Sequence, residues 1–344
     1  MRVGIDARPL DERPTGIGVY TREIMKFLST ITGIDVFLYS NRNISWNGNG
    51  TKWVSSSVAG PLWRNVILPR QLREHNIDVF WGSLGTLPIV KVRPKTVITI
   101  HDLLWIDLPK TLTFRDKIGR RLQMSNAIQK ADAVIAVSDF TAQRLKTHYS
   151  RTHNTFVVPE ASRFPPQTTS ESLLISKNIL AIGGNEFRKN NEFLVKAFEK
   201  SSLLERGWTL TVVGRGSSAL RSSTDAVHLL DYVPDEDLVT AYKNAGAVVI
   251  ASTYEGFGLP VVEALGFKKP LLVSSIPPFR EFGLPKNAYF DPFDLNSCIR
   301  IMEQLVDDIW RDEFVRQTAG IIADWPSWNE IGQLTFDVMR KVAY

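Results

Sequence analysis

The sequence predicts an α/β protein built from two doubly wound parallel sheets. At 344 residues the chain is long for one hydrophobic core, and it accommodates two domains of about 150 residues each. Short apolar runs of strand length alternate with helical patterns along the chain, which is typical of parallel sheets covered by helices. Glycine-containing segments follow several of these runs, where open α/β sheets bind ligands. We therefore look for functional residues at the carboxyl ends of the predicted strands.

The composition indicates a folded globular chain without a membrane span. Hydrophobic residues make up 44% and charged residues 22%, and no segment approaches the run of about 18 apolar residues that a transmembrane helix needs. Asp6 and Arg8 interrupt the N-terminus where a secretion signal would be apolar, and the single cysteine, Cys298, has no internal disulfide partner. We expect a cytoplasmic protein. The net charge of +5 suits phosphate-rich ligands or an anionic membrane, and no nucleic-acid-binding motif accompanies it.

In the first half, a short strand is predicted at residues 2–6, and the first glycine segment follows it. Gly16 and Gly18 lie between this strand and a helical pattern that begins near Tyr20. The backbone amides of such a turn can cradle a phosphate at the helix N-terminus. Thr21 stands where a dinucleotide-binding fingerprint needs its third glycine, so an ordinary turn is an equally good interpretation.

A second candidate site of the first half follows a later strand. Strands are predicted at residues 36–39, 79–81, 97–100, 131–137 and 155–158. His101 and Asp102 follow the third of these, and a titratable pair at the carboxyl end of a strand is a site candidate. A histidine that only satisfies the local structure is the usual alternative. Residues 163–177, rich in Pro, Ser and Thr, are predicted to form the linker to the second half.

The second half begins with a predicted strand at residues 178–182, which leads to Arg188 and Lys189 before a helix. Two cations at a helix N-terminus are unfavourable because that end is already positive, and a bound anion would remove the conflict. Two solvated cations on a loop are the alternative. Further strands are predicted at residues 209–213, 227–230, 247–251 and 270–275, and the last is expected to complete the sheet.

The most informative segment, residues 252–264, directly follows an apolar run with the character of a buried parallel strand. Gly256 and Gly258 allow the backbone to turn tightly. Pro260 fits the first turn of a helix, where no amide donor is needed. The segment therefore predicts a strand, a loop and a helix that begins near Leu259.

Two carboxylates occupy this segment. Glu255 lies in the loop at the carboxyl end of the strand and Glu263 about one turn into the helix, so both can face one crevice from different depths. Alternatively, each carboxylate only stabilises the positive end of the helix, by roughly 0.3–1 kcal/mol.

The two glutamates, separated by seven residues with Gly-Phe-Gly-Leu-Pro between them, resemble the signature of the retaining, nucleotide-sugar-dependent glycosyltransferases of family 4. The resemblance extends over nearly the whole chain and implies the GT-B fold, in which two Rossmann-like doubly wound domains face a cleft. The final helix of that fold crosses back to the N-terminal domain. The implied domains are residues 1–165 with about 327–344, on the acceptor side, and residues 175–326, which bind the nucleotide sugar.

The resemblance also implies roles for the candidate residues. Glu255 contacts the donor sugar and stabilises the positive charge that develops on its ring, while Glu263 holds the ribose hydroxyl groups. His101 reaches the donor sugar, and Asp102 either orients the imidazole or meets the acceptor hydroxyl. The other implied donor-binding residues are Gly16, Gly18, Arg188, Lys189, Tyr232, Val233, Gly256, Phe257, Gly258 and Leu259.

The chain departs from the family pattern at two positions. The family usually has a proline-asparagine-glycine turn where this chain has Pro159, Glu160 and Ala161, and neither the residues nor the resemblance explains Glu160. Most members carry an arginine directly after the first glycine of the second domain, where this chain has Gly184. Arg188 is the candidate replacement.

The reaction that the resemblance implies is the transfer of a sugar from a nucleotide diphosphate to a hydroxyl group, with retention of configuration. No metal and no other cofactor is expected, because Arg188, Lys189 and the glycine amides would neutralise the leaving diphosphate. The overall pattern is most similar to bacterial mannosyltransferases that build surface polysaccharides such as lipopolysaccharide O-antigen. GDP-mannose is therefore the expected donor and a glycan the expected acceptor.

A lipid-linked acceptor and peripheral contact with an anionic membrane, on its inner face, are also expected. Two basic stretches support this contact: Trp63, Arg64, Arg70 and Arg73 among Val66, Ile67 and Leu68, and Arg115, Lys117, Arg120, Arg121 and Lys130 with one acid, Asp116. Such stretches place apolar groups at the headgroup boundary and cations on anionic lipid. A solvated basic face above an ordinary buried face is an equal alternative.

Three rival functions remain open. A nucleotide-sugar epimerase of the same fold needs a donor but no acceptor. A two-domain sugar-binding protein also closes around a ligand, although the missing export signal argues against it. A nicotinamide dehydrogenase fits less well, because neither glycine segment gives the dinucleotide fingerprint. The sequence names neither the acceptor, the linkage nor the oligomeric state.

Overall fold

The computed structural model divides the chain into two compact units, Met1–Glu160 with Pro326–Tyr344, and Ala161–Trp325. The structure describes residues 1–10, 15–46, 48, 51–58, 60–111, 113–149, 154–166 and 176–344. Residues 167–175 of the expected linker lie outside the described residues, as do the side chains of residues 111 and 114–116. Each unit is built on its own parallel sheet, which confirms the predicted fold class.

The first unit contains a sheet of seven parallel strands in the order β3-β2-β1-β4-β5-β6-β7. The strands are β1 (Arg2–Asp6), β2 (Asp35–Ser40), β3 (Thr51–Ser55), β4 (Val79–Gly82), β5 (Lys95–Ile100), β6 (Ala133–Ala136) and β7 (Thr155–Val157). Ile5 in β1 is aligned with Leu38 on one side and Trp81 on the other. The order therefore reverses between β1 and β4, and the loops that follow these two strands diverge there.

The second unit contains a sheet of six parallel strands in the order β10-β9-β8-β11-β12-β13. The strands are β8 (Asn178–Ile182), β9 (Thr209–Val213), β10 (Val227–Leu230), β11 (Ala247–Ile250), β12 (Leu271–Ser274) and β13 (Tyr289–Phe290). This is the strand order of a Rossmann fold, with its reversal between β8 and β11.

Helices connect the strands. They are α1 (Gly16–Thr30), α2 (Gly60–Leu62), α3 (Leu68–Glu74), α4 (Leu104–Asp107), α5 (Phe114–Lys130), α6 (Asp139–Tyr149), α7 (Asn191–Lys200), α8 (Asp235–Asn244), α9 (Leu259–Gly266), α10 (Pro277–Arg280), α11 (Leu295–Met302), α12 (Asp308–Ala323) and α13 (Trp328–Ala343). A π-helical turn, Trp63–Ile67, joins α2 to α3. Short 3-10 turns lie at Pro109–Thr111, Phe187–Lys189, Ser217–Ala219, Lys286–Ala288 and Glu303–Val306.

The last helix returns to the first unit, as predicted. A capping box starts α13, because the Ser327 hydroxyl accepts from the Glu330 amide while the Glu330 carboxylate accepts from the Ser327 amide. The helix packs on α1 and on β4, β5 and β6. A Cβ at Gly332 would lie 2.4 Å from the Phe27 ring, so only glycine permits this approach to α1.

Two strands escape prediction. β3 is exposed, and its residues show no apolar run. β13 has two residues and extends the second sheet beyond β12, so the expectation that residues 270–275 complete the sheet is wrong. Both strands lie at the edge of a sheet, where one neighbour suffices and the hydrophobic pattern is weak.

The structure contradicts part of the expected membrane stretch. Trp63 is fully buried in the core of the first unit, together with Leu68 and Leu72. Arg64 is also buried, and its Nη1 donates to Gln123 Oε1 at 2.7 Å. Neither side chain is able to meet lipid headgroups. In the described part of the chain, no helix is both long and apolar enough to cross a membrane.

Candidate active site

The best-defined charged cluster lies at the reversal point of the second sheet. Arg188 Nη1 donates to Glu255 Oε2 at 2.5 Å, and Lys189 Nζ donates to Glu255 Oε1 at 2.6 Å. Ser252 Oγ adds a third hydrogen bond to Oε1 at 2.8 Å. The loops after β8 and β11 thus meet where doubly wound sheets bind ligands.

The two cations keep Glu255 ionised although it is 8% exposed. Burial alone would raise the pKa of this carboxyl, but the charges of Lys189 and Arg188 outweigh burial and lower the pKa from 4.5 to about 2. The cluster therefore contains a permanent anion and two cations at neutral pH. The solvated-cation interpretation of Arg188 and Lys189 is wrong, because their side chains are only 23% and 12% exposed.

Main-chain contacts fix the position of the cations. The Thr253 amide donates to the Arg188 carbonyl at 2.7 Å, which ties the loop after β11 to the turn Phe187–Lys189. A Cβ at Gly184 would lie 2.2 Å from the Arg215 carbonyl oxygen, and Gly184 has a φ of +63°. An arginine therefore does not fit at position 184, and the replacement of the family's arginine by Arg188, from the following turn, stays a prediction.

The segment before α9 is built largely as predicted. The helix begins at Leu259 with Pro260 in its first turn. Gly258 has a φ of +129°, and a Cβ there would lie 2.7 Å from the Phe279 ring. Gly256 does not adopt a positive φ, so the tight turn depends on Gly258 alone.

The side chain of Phe257 points into the packing of the second unit. Its ring meets those of Phe282 and Trp325 at centroid distances of 5.4 and 6.0 Å. The residue is 7% exposed, so its ring belongs to the interior of the second unit and is not open to a ligand.

Glu263 does not share an open crevice with Glu255. It is fully buried, and its carboxylate accepts from Arg163 Nε at 2.6 Å and from the Tyr242 hydroxyl at 2.8 Å. The expectation of two carboxylates facing one crevice is wrong in this state, because α9 turns Glu263 toward α8 and the chain near Arg163. Stabilisation of a helix end is also an insufficient explanation for a carboxylate with these partners.

Tyr232 and Val233 follow β10, the edge strand of the second sheet, two strands away from β8. Tyr232 is 50% exposed. The structure thus places them at the carboxyl end of the same sheet as Glu255.

In the first unit, His101 is held from both sides after β5. Its Nδ1 lies 2.9 Å from Glu160 Oε1, and its Nε2 lies 3.2 Å from the Ser83 carbonyl oxygen. A carbonyl oxygen only accepts, so Nε2 carries a proton. The Tyr20 ring packs edge-on against the imidazole at 4.9 Å. Glu160, which the sequence left unexplained, therefore positions this histidine.

Asp102 has a different task. Its Oδ1 accepts from the Leu104 amide at 3.0 Å, at the start of α4. The alternative in which Asp102 orients the imidazole is therefore wrong, because Glu160 occupies that position. A contact between Asp102 and an acceptor stays a prediction.

Gly16 and Gly18 belong to the first turn of α1, with Thr15 at the N-cap. Neither glycine has a positive φ. The amides of these residues lie at a helix N-terminus, where the first turn leaves donors without helical partners, and their contact with a phosphate stays a prediction.

Asp6, Arg8 and Arg64 form a cluster that sequence reasoning missed. Arg8 Nε donates to Asp6 Oδ1 at 2.8 Å, and Arg8 Nη2 donates to Thr86 Oγ1 at 3.0 Å. Burial and the neighbouring Arg8 lower the pKa of Arg64. Arg8 therefore pairs with the buried Asp6 carboxylate beside the reversal point of the first sheet, and Arg64 lies near enough to feel both charges. The sequence did contain a signal for this cluster, because an acid, Asp6, ends an apolar strand and a base, Arg8, follows two residues later.

Among the described residues, no group of three or more His, Cys, Asp or Glu side chains is placed to hold a metal ion. Metal independence of the reaction stays a prediction.

Two protein-family models match the chain. Residues 14–161 match the model described as Glycosyltransferase Family 4, and residues 171–309 match the one described as Glycosyl transferases group 1. Together they span most of the sequence and include every site residue that the sequence predicted, whereas Asp6 and Arg8 lie before the first match.

Similar proteins point to the same family. The chain is 25% identical over 358 residues to the O-antigen chain mannosyltransferase B of Escherichia coli, covering 91% of this chain and 92% of that protein. It is 28% identical over 243 residues to the O-antigen chain mannosyltransferase RfbU of Salmonella typhimurium, covering 66% and 65%.

A solved structure shows the same fold. The sucrose-phosphate synthase of Thermosynechococcus elongatus matches with a TM-score of 0.77 and 16% identity, over 99% of this chain and 98% of that chain. This likeness and the two parallel sheets show the GT-B fold, and the two family models show that the protein is a glycosyltransferase of family 4.

Proposed function

We propose that the protein transfers mannose from GDP-mannose to a hydroxyl group of a growing, lipid-linked glycan, with retention of the anomeric configuration. The observation that carries the proposal is the buried Glu255 carboxylate held by two cations at the carboxyl ends of β8 and β11. The names of the two O-antigen mannosyltransferases support mannose as the transferred hexose.

In this proposal Arg188 and Lys189 bind the donor diphosphate. Their contacts with Glu255 use one nitrogen of each side chain, whereas a guanidinium has five N–H donors and an ammonium three. Arg188 Nε also lies 3.1 Å from Glu186 Oε2, and because Glu186 is 58% exposed, a phosphate would compete there with a solvated carboxylate. The positive charge of the two cations compensates the negative charge that builds up on the leaving diphosphate, which is the task of a metal ion in other transferases.

Glu255 acts as an electrostatic group on the donor sugar. Its pKa of about 2 keeps it ionised throughout the physiological range. A fixed anion stabilises the positive charge that develops on a sugar ring when the bond to the leaving group lengthens. The bond to be broken joins the anomeric carbon to the diphosphate, and the acceptor oxygen takes its place on the same face.

Glu263 binds the ribose hydroxyl groups only after a local exchange. Arg163 and Tyr242 occupy its carboxylate now, so a ribose must displace one of them. Arg163 is the more exposed partner, at 19%, and has a second acid, Asp235, within 3.1 Å. Arg163 is thus able to keep an ionic partner when it releases Glu263.

His101 contacts the donor sugar in the proposed reaction. Its Nε2 proton is the available one, because the contact with the Ser83 carbonyl is longer than that of Nδ1 with Glu160. Glu160 keeps the ring in place while Nε2 exchanges the Ser83 carbonyl for the sugar. The amides of Gly16 and Gly18 supply further donors for the diphosphate, and the main chain of Tyr232 and Val233 meets the base.

A donor screen tests the proposal. Purified protein is incubated with GDP-mannose, GDP-fucose, UDP-glucose and UDP-galactose, each with and without EDTA, and the release of nucleoside diphosphate is measured. We expect GDP-mannose to react about tenfold faster than either UDP-sugar, since a site that hydrogen-bonds one base discriminates against another. We also expect EDTA to have no effect. Fastest turnover of a UDP-sugar contradicts the donor, and full loss in EDTA with rescue by magnesium or manganese contradicts metal independence.

The same incubation separates the rival functions. Conversion of the donor sugar to an epimer, without an acceptor, would indicate an epimerase instead. Binding without any turnover, even with bacterial glycolipid extracts as acceptor, would indicate a sugar-binding protein. Retention is tested on the isolated product by the one-bond carbon–proton coupling at its anomeric centre.

We propose that α5 provides the contact with an anionic membrane. Ile118 and Leu122 on this helix are 43% and 66% exposed. Exposed apolar groups among cations are typical of helices that lie in a membrane interface. Sedimentation with anionic and neutral vesicles, at low and high salt, tests the contact. No preference for anionic vesicles at low salt would contradict it.

A further inference from the structure

A groove of about 680 Å³ lies in the first unit, between α4 and α5, and the end of α6 closes one side of it. It is separate from the contacts of His101 and from the Glu255 cluster. Side chains at four-residue spacing on α5 form its longest wall, because such positions share one helix face. The residues that matter here are Trp105, Lys117, Arg121, Leu122, Asn126 and Tyr149.

Positive charge dominates the groove. Lys117 and Arg121 line it, and no carboxylate is among its described lining residues. Asp107 is a nearby acid, but its carboxylate accepts from Arg144 Nε at 3.1 Å and is thereby compensated. The lining His148 belongs to the same network, because its Nε2 lies 2.6 Å from Arg144 Nη2 and 3.3 Å from Asp107 Oδ1.

Two buried donors of the groove also lack partners. Trp105 is 2% exposed, and its indole Nε1 has no hydrogen-bond partner. The side-chain nitrogen of Asn126 is likewise buried without one. Both nitrogens are enclosed by the protein, so two residues that line the groove carry unsatisfied buried donors, which is uncommon in folded proteins.

We propose that this groove binds a phosphate-bearing group. A phosphate offers only acceptor oxygens, and the groove offers an ammonium and a guanidinium, while two of its lining residues carry an unsatisfied buried indole N–H and amide N–H. Its volume accommodates a diphosphate, and Leu122 and Ile106 supply apolar surface beside it. A lipid headgroup and a soluble phosphate share this chemistry. The lipid source rests on the proposed function, whereas the phosphate site rests on the groove alone.

Trp105 provides a local readout of binding. The protein has nine tryptophans, each with one indole N–H signal in a proton–nitrogen NMR spectrum. The signal that is missing from the spectrum of Trp105→Phe is that of Trp105. Titration with inorganic pyrophosphate should shift this signal in a saturable way. The double variant Lys117→Ala/Arg121→Ala should bind pyrophosphate about 10- to 100-fold more weakly at this site, because it loses two charge-assisted contacts.

Arg120→Ala is the matched control. Arg120 neighbours Arg121 on α5 and is exposed, but it does not line the groove. A second arm measures sedimentation with vesicles of phosphatidylglycerol in phosphatidylcholine. Weaker sedimentation of the double variant than of Arg120→Ala supports a lipid headgroup as the ligand. Equal sedimentation, with pyrophosphate binding lost only in the double variant, supports a soluble phosphate compound.

The proposal is overturned if pyrophosphate does not shift the Trp105 signal in the wild type, or if the double variant and Arg120→Ala respond alike both in the titration and in sedimentation. Thermal unfolding of each variant confirms that the substitutions leave the fold intact. Because the readout is an indole signal rather than sugar transfer, a wrong donor or acceptor in the proposed function leaves this result unchanged.

Discussion

Glu255 in the second unit and His101 in the first are both largely buried ionisable groups at the carboxyl ends of parallel strands, but their partners differ in kind. Two largely buried cations hold the largely buried carboxylate of Glu255, whereas the other acid at Arg188, Glu186, is 58% exposed. His101 has one acceptor at each ring nitrogen, so every polar atom of the ring is engaged. The first arrangement is built to take up an anion, whereas the second is built to hold a ring in place.

The largest expected effect concerns the anion-binding cluster. Glu255→Ala should lower turnover by roughly 10²–10³-fold, as the loss of one preorganised electrostatic group does. Steady-state kinetics with the donor that proves active measures the effect, and Ser252→Ala, which removes only a neutral donor to Glu255, is the milder control. Near-normal turnover of Glu255→Ala would show that the carboxylate has no role on the sugar.

The second prediction concerns the buried pair beside the cluster. Glu263→Gln should lower the free energy of unfolding by about 3–5 kcal/mol, because it leaves the Arg163 charge without its buried partner. Asp235→Asn removes an acid that is 55% exposed and also contacts Arg163, and it should cost less than about 1 kcal/mol. Urea unfolding followed by tryptophan fluorescence compares the two. Equal stability losses would contradict the assignment of Glu263 as the main partner.

The third prediction follows from the low pKa of Glu255. Because its pKa falls from 4.5 to about 2 on folding, its contribution to stability is fully present above about pH 4.5 and is lost as pH falls toward 2. That contribution is of the order of 3 kcal/mol. Subtracting the acid unfolding curve of Glu255→Gln from that of the wild type isolates it. Parallel curves between pH 5 and pH 2 would refute this cause.

The smallest effect is expected at the histidine. Glu160→Asn introduces the residue usual in the family, but its side chain is one methylene shorter, so it should release His101 Nδ1 and lower kcat about tenfold with little change in KM. Glu160→Gln keeps an acceptor at the same distance and should retain most of the activity. A nitrogen NMR spectrum of the His101 imidazole should differ from that of the wild type in Glu160→Asn but not in Glu160→Gln. Equal behaviour of the two variants would contradict a positioning role.

How much of the molecule could be predicted from its sequence depends on whether a feature is set by residues close together or far apart in the chain. Apolar runs identified most strands of both sheets, and the start of α9 at Leu259 followed from local glycine and proline chemistry. Glu255 and its cations were found because each sits in its own short motif. These features depend on neighbours in the sequence, which a pattern can show.

The missed features depend on residues far apart in the chain. Glu160 meets His101 across 59 positions, and Arg163 meets Glu263 across 100. Neither pairing leaves a periodicity or a spacing that a single sequence displays. The strand β3 was missed for another reason, since exposed edge strands need no apolar run.

The most direct test of the account is the binding of GDP to three proteins by calorimetry in EDTA: the wild type, Glu255→Gln and Lys189→Ala. If Arg188 and Lys189 serve the diphosphate while Glu255 serves the sugar, Lys189→Ala should bind GDP about 10- to 100-fold more weakly, because it loses a charge-assisted contact. Glu255→Gln should bind GDP at least as tightly as the wild type, since its cations are released to the ligand. Unchanged affinity in Lys189→Ala, or a strong loss in Glu255→Gln, would contradict the account.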